Sequence, residues 1–275
     1  MTVEDGMKTS QLVDYEVFGA GTPIVFLHGM ALNKESNRLF FEPFLRTSDY
    51  QRIYLDIPGM GASAPTSQAT GQQVAETLFR AIREIIGEQS FVFYGHSFGG
   101  YMAQVLTEMF AGQVIGLFLT GSVVTADKSK RLLAKPTQVI VDQVEVTADA
   151  HYYDDFLTMS SQISQANWET YRRLIVPGLK TVNHAFLQEL HQHYTVANED
   201  QLRQKNYRIP LTMMIGKNDQ VVGYQEQCQL AEQSEGDELF LLSRTGHNVM
   251  IDRPVLTKLV FQNFLTTVAT FSKGL

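Results

Sequence analysis

The chain has 275 residues, 44% of them hydrophobic and 19% charged, which suits a large folded core and excludes a disordered or low-complexity polypeptide. Its formal net charge of −7 argues against a nucleic-acid surface, which needs a basic stripe. One cysteine, Cys228, offers no internal disulfide. Residues 1–10 lack the basic-then-apolar pattern of a secretion signal, and no window holds the run of about 18 apolar residues of a membrane span, so a soluble cytoplasmic protein is expected.

Taken in chain order, residues 12–18 and 24–27 are apolar runs joined by Gly19-Ala20-Gly21-Thr22-Pro23, and read as a hairpin feeding a buried strand. A second buried strand at 52–56 runs into the loop Ile57-Pro58-Gly59-Met60-Gly61. Residues 73–86 place Val74, Leu78, Ala81, Ile82 and Ile85 at helical spacing, with Gly87 as the stop. A short strand at 91–94, a helix at 98–110 and a strand at 114–119 follow. The rhythm resumes with a strand at 211–215, a helix at 225–233 and a strand at 239–242. A final helix runs from Pro254 to about 269, with proline suited to its first turn.

Strands alternating with helices predict an α/β fold, a parallel sheet covered on both faces. Residues 125–207 break the alternation. They hold no convincing apolar strand but several helix-like segments, among them 156–165, 169–176 and 184–193. A structureless loop of that length is rare in a compact domain, so the interval reads as a helical insertion. Residues 1–124 and 208–275 then form the core and 125–207 a cap. Its aromatics Trp168, Tyr153 and Phe156 are expected to bind substrate.

The strongest chemical signal is Gly95-His96-Ser97-Phe98-Gly99 between a strand and a helix. This is the nucleophile-elbow pattern, in which a sharp turn holds the serine in strained geometry. Side chains at Gly95 or Gly99 would collide with neighbouring strand or helix. A serine hydroxyl needs a base. Of the seven histidines, His247 in Thr245-Gly246-His247-Asn248 follows the strand at 239–242 and is the candidate. His28 is better suited to shaping its loop. His151, His184, His191 and His193 fall in the insertion. The orienting acid should come from another loop at the same sheet edge. Asp219, directly after the strand at 211–215, is favoured, with Asp127 as the competitor. Ser97, Asp219, His247 is the chain order associated with this architecture. Backbone N–H groups of Met30, in the loop His28-Gly29-Met30, and of Phe98, after the serine, are expected to form an oxyanion hole.

These stretches, together with Asp56-Ile57-Pro58-Gly59-Met60-Gly61-Ala62-Ser63 and the second glycine at Gly100, resemble the α/β-hydrolase superfamily over nearly the whole chain. The resemblance implies an eight-stranded, mostly parallel sheet with a cap inserted after the sixth strand. It also implies that the loop after Asp56 supports the site without reacting. A serine at the elbow sets the chain apart from dehalogenases and epoxide hydrolases, which use aspartate there. The expected activity is hydrolysis of small to medium carboxylic esters, thioesters or lactones through an acyl-enzyme. Carbon–carbon bond hydrolysis and cofactor-free perhydrolysis are alternatives on the same residues, although Asn248 stands where carbon–carbon hydrolases usually carry an aromatic. A ligand receptor without turnover is the alternative of another class. No cofactor or metal is expected, and a small molecule is the expected partner, with no nucleic acid or membrane. Homo-oligomerisation stays open.

Overall fold

The computed structural model describes residues 6–9, 12–135, 137–233 and 237–272. The first half comprises β1 (Gly6–Thr9), β2 (Asp14–Phe18), β3 (Thr22–Leu27), α1 (Lys34–Leu45), β4 (Tyr50–Leu55), α2 (Gly71–Ile86), β5 (Phe91–His96), α3 (Phe98–Met109) and β6 (Val114–Thr120). The interval that follows holds β7 (Val139–Ile140), α4 (Tyr153–Met159), β8 (Gln162–Ile163), α5 (Gln165–Leu174), α6 (Val176–Leu179), α7 (His184–His193) and α8 (Glu199–Arg203). The chain then returns through β9 (Leu211–Gly216), α9 (Gln225–Ala231), β10 (Glu238–Leu242), α10 (Val249–Asp252) and α11 (Pro254–Phe271).

Eight strands pair in the order β1-β2-β4-β3-β5-β6-β9-β10. The β1–β2 and β2–β4 pairs are antiparallel and every later pair is parallel. The buried strands alternate their side chains between two apolar layers. Val25, Leu27, Phe91, Phe93 and Met213 face α2 and α3, while Ile24, Phe26, Val92, Tyr94 and Met214 face α1 and α11. That is why these strands read as unbroken apolar runs: both faces are covered. α2 begins at Thr70, whose side chain accepts from Gln73 N, and ends at Gly87 in a positive-φ conformation.

Two expectations need correction. β2 and β3 do not form a hairpin, because β4 lies between them, antiparallel to one and parallel to the other. Stepping over one strand means crossing about 10 Å, a distance three extended residues can span. Residues 156–165 are not one helix: α4 stops at Met159 and β8 follows, paired with β7. The break has a tertiary cause, since the Ser161 and Gln162 N–H groups donate to the buried Asp252 carboxylate. α1 escaped the sequence reading, its apolar residues Phe40, Phe41 and Leu45 being crowded into its second half around Pro43. Among the described residues no helix is long and apolar enough to cross a membrane.

Candidate active site

Ser97 sits between the end of β5 and the start of α3 with φ 54° and ψ −118°, a region L-residues rarely occupy. The surrounding backbone holds it there. Ser97 N donates to Thr120 O at 3.1 Å, and its carbonyl accepts from Tyr101 N (3.1 Å) and Val123 N (3.2 Å). A Cβ on Gly99 would lie 2.3 Å from His28 O, and one on Gly95 2.6 Å from the Gly100 Cα. Only glycine allows β3, β5 and α3 to approach so closely.

Three loops meet over this serine. His247, in the loop after β10, has its Nε2 2.9 Å from Ser97 Oγ, and its Nδ1 2.8 Å from Asp219 Oδ2 in the loop after β9. A carboxylate only accepts, so Nδ1 carries the hydrogen and Nε2 is left to accept from the serine hydroxyl. The other oxygen of Asp219 accepts from Val221 N (2.8 Å) and Val222 N (3.0 Å), which fixes the carboxylate in place. Asp219 is fully buried, His247 5% exposed and Ser97 9%. Asp127 is far more open, with its carboxylate occupied by Ser129 and Lys130.

Ser97 and His247 open into a cavity of about 270 Å³ that Met30, Phe98, Val123, Met159 and Tyr171 also line. Neither Met30 N nor Phe98 N donates to a protein group among the described residues. Phe98 is the first residue of α3, where amide hydrogens lack intrahelical partners and the helix dipole is positive. Trp168, Tyr153 and Phe156 do not border the cavity. They stack on one another inside the insertion, Trp168 5.3 Å from Tyr153 and 5.4 Å from Phe156 between ring centroids, with Trp168 and Phe156 buried. Their aromatic bulk packs the interior of residues 125–207, whose cavity-lining rings are Tyr171 on α5, His191 on α7 and Tyr194 just after it.

Residues 22–254 match the family described as alpha/beta hydrolase fold. The chain belongs to the α/β-hydrolase family. A crystal structure of an α/β superfamily hydrolase from Oenococcus oeni is 44% identical, with a TM-score of 0.94 over 96% of this chain and 99% of that one. An esterase from a Rhodococcus species shares the fold at 19% identity and TM-score 0.74, covering 93% and 95% of the two chains. A bromoperoxidase from Bacillus anthracis does so at 17% and 0.71, covering 92% and 95%. No curated protein matches the sequence.

Around the site, this α/β hydrolase holds its loops with buried polar groups. His28 donates from Nδ1 to Gly29 O (2.7 Å) and accepts at Nε2 from Ile57 N (3.0 Å), joining the loops after β3 and β4 while staying neutral. Burial lowers its pKa. Burial, then the adjacent His247 imidazole, pushes His96 down to about 3, and its Nδ1 donates to Thr120 O at 3.0 Å. Asp56 accepts from Lys34 N (2.6 Å), Ala62 N (2.9 Å) and Lys34 Nζ (3.0 Å), which also meets Asp14. These bonds fit a supporting role for that loop.

The sequence reading missed Asp252. Its carboxylate accepts from Gly246 N (2.6 Å), Ser161 N (3.0 Å) and Gln162 N (3.2 Å), while His247 N donates to Met159 O (3.0 Å). The loop carrying His247 is thereby clasped to the insertion. Burial raises the Asp252 pKa against the pull of those amides. Nothing in its local sequence distinguishes it from a helix-end aspartate. Lys128 and Arg131, which border the cavity, were hidden in a basic run that resembles a solvated turn. Among the described residues no cluster of three or more His, Cys, Asp or Glu could hold a metal ion.

Proposed function

We propose that this α/β hydrolase is a serine esterase that cleaves small to medium carboxylic esters, thioesters or lactones through an acyl-enzyme on Ser97. The observation that carries the reading is the unbroken relay from Ser97 Oγ through His247 to Asp219, with links of 2.9 and 2.8 Å. The Ser97 oxygen attacks the acyl carbon as its proton passes to His247 Nε2. Asp219 holds the tautomer and stabilises the imidazolium that forms. The N–H groups of Met30 and Phe98 receive the carbonyl oxygen as it becomes an anion, each such donor contributing roughly 3–4 kcal/mol to transition-state stabilisation.

Collapse of the tetrahedral intermediate breaks the bond to the leaving group, which takes the proton from His247. Water then attacks the acyl-enzyme, giving its proton to His247, and the returning proton restores the serine as the acid departs. The insertion forms the roof of the site, supplying Met159 and Tyr171. The cavity, at about 270 Å³, lies near the lower end of the usual 300–1,000 Å³ range for ligand pockets, which favours compact acyl groups. A receptor without turnover would have no use for a strained serine bonded to a buried base.

Replacing Ser97 with alanine should lower hydrolysis of short-chain para-nitrophenyl esters by at least about 10⁴-fold and prevent labelling by a fluorophosphonate. Circular dichroism should be unchanged. Equal labelling of S97A and the parent would refute the assignment.

A further inference from the structure

The cavity lining includes two cations, Lys128 and Arg131, for which ester hydrolysis as such has no use. Lys128, Arg131 and His191 all border the cavity that contains Ser97. Arg131 is 8% exposed, and its guanidinium is held by neutral groups. Nε donates to Thr125 O (2.8 Å), Nη2 to Ala126 O (2.9 Å) and to the Tyr194 hydroxyl, and one Nη1 hydrogen to Val221 O (3.1 Å). A guanidinium has five N–H donors, which leaves one on Nη1 without a protein acceptor among the described residues.

The nearby acids are committed elsewhere. Asp127 pairs with Lys130, and Glu199 with Arg203 while accepting from Tyr101 Oη and Ala126 N. Asp155, the acid that borders the cavity, accepts from the Tyr171 hydroxyl, keeps its charge and forms no ion pair with Lys128 or Arg131. Among the described residues, no carboxylate lies within ion-pairing distance of Lys128 or Arg131. Burial first, and then each of these two cations, lowers the proton affinity of His191, so both lie close to its ring. A buried guanidinium without a counter-ion is costly in a protein interior. Its retention at the wall of a reaction cavity points to a charge that arrives with the ligand.

We infer that this hydrolase takes esters whose acyl part ends in a carboxylate, the distal anion docking between Lys128 and Arg131 while the ester carbonyl lies at Ser97. The inference rests on the reading of Ser97 as nucleophile and narrows its substrate class to hemiesters of short dicarboxylic acids. A carboxylate suits the donors at hand: one free guanidinium hydrogen and one ammonium can each take an oxygen, in charge-assisted bonds stronger than neutral ones. Arg131 also ties Thr125, Ala126 and Val221 together, so the test is placed on Lys128 at the rim.

The experiment compares mono-para-nitrophenyl glutarate with para-nitrophenyl pentanoate on the parent, Lys128→Met and Lys128→Arg, alongside calorimetric titration with glutarate. In the parent, kcat/KM for the hemiester should exceed that for the neutral ester by about tenfold, chiefly through KM. Lys128→Met should erase most of that ratio and weaken glutarate binding by about tenfold, and Lys128→Arg should restore both. Turnover of both esters without preference, and no binding of glutarate, overturns the anion site and leaves the esterase reading standing. Lysine-dependent glutarate binding with neither ester cleaved sustains the anion site and sinks the esterase reading. Inorganic phosphate binding more tightly than glutarate overturns the choice of a carboxylate.

Discussion

His96 shows how a side chain next to Ser97 can serve structure while another imidazole, that of His247, bonds the serine. It is fully buried, its Nδ1 hydrogen is given to Thr120 O, and it stays neutral down to about pH 3. In the unfolded chain it would take up a proton near the ordinary value of 6.5. Below that value the unfolded state binds the extra proton, so stability falls as pH falls, by up to about 1.4 kcal/mol per pH unit for this residue. His28, lowered by burial, adds in the same direction. Urea unfolding at pH 7.5, 6 and 5 should therefore show a declining midpoint, and His96→Asn, which keeps a donor near the Nδ1 position, should flatten the decline. Identical slopes for the two proteins would contradict this. At the residue scale, the sequence exposes what is local. The spacing of Gly95, Ser97 and Gly99 fits one tight turn, so the serine could be picked out directly. Asp252 and Arg131 could not, because their meaning lies in partners far along the chain: Ser161 and Gln162 for one, Val221 and Tyr194 for the other.

At the scale of elements, periodicity identified α2 and α11 to within a few residues because each lays one apolar face on the sheet. It failed where tertiary bonds override local preference. The end of α4 is set by the Asp252 carboxylate drawing Ser161 and Gln162 out of helical geometry. The aromatics of the insertion were read as pocket walls because aromatic side chains serve both purposes. Packing separates the roles: Trp168 touches Tyr153, Phe156 and Tyr171 and is 1% exposed. Trp168→Ala should accordingly destabilise the protein by about 3–5 kcal/mol, the usual cost of emptying a large buried aromatic site. Chemical denaturation measures this. A near-normal unfolding midpoint combined with a raised KM would instead place Trp168 against substrate.

At the scale of the whole molecule, β5, β9 and β10 run parallel, so the loops that leave their carboxyl ends emerge along one edge of the sheet. Ser97, Asp219 and His247 occupy those loops, and 150 residues of sequence between serine and histidine reduce to 2.9 Å in space. Alternating strands and helices made the parallel sheet legible, and with it the edge on which to look. Strand order was not legible, since β2 and β3 are joined by a connection short enough for a hairpin yet long enough to pass over β4. Asp252 holds the loop that carries His247 and residues 161 and 162 together as one assembly.

The most direct measurement is mass spectrometry of protein quenched within milliseconds of mixing with a para-nitrophenyl ester, followed by peptide mapping. The expected result is a transient acyl adduct on the peptide carrying Ser97, formed with a burst of nitrophenol and lost in S97A. Hydrolysis at full rate with no adduct, or with the acyl group on another side chain, would contradict the convergence of these three loops as the source of activity.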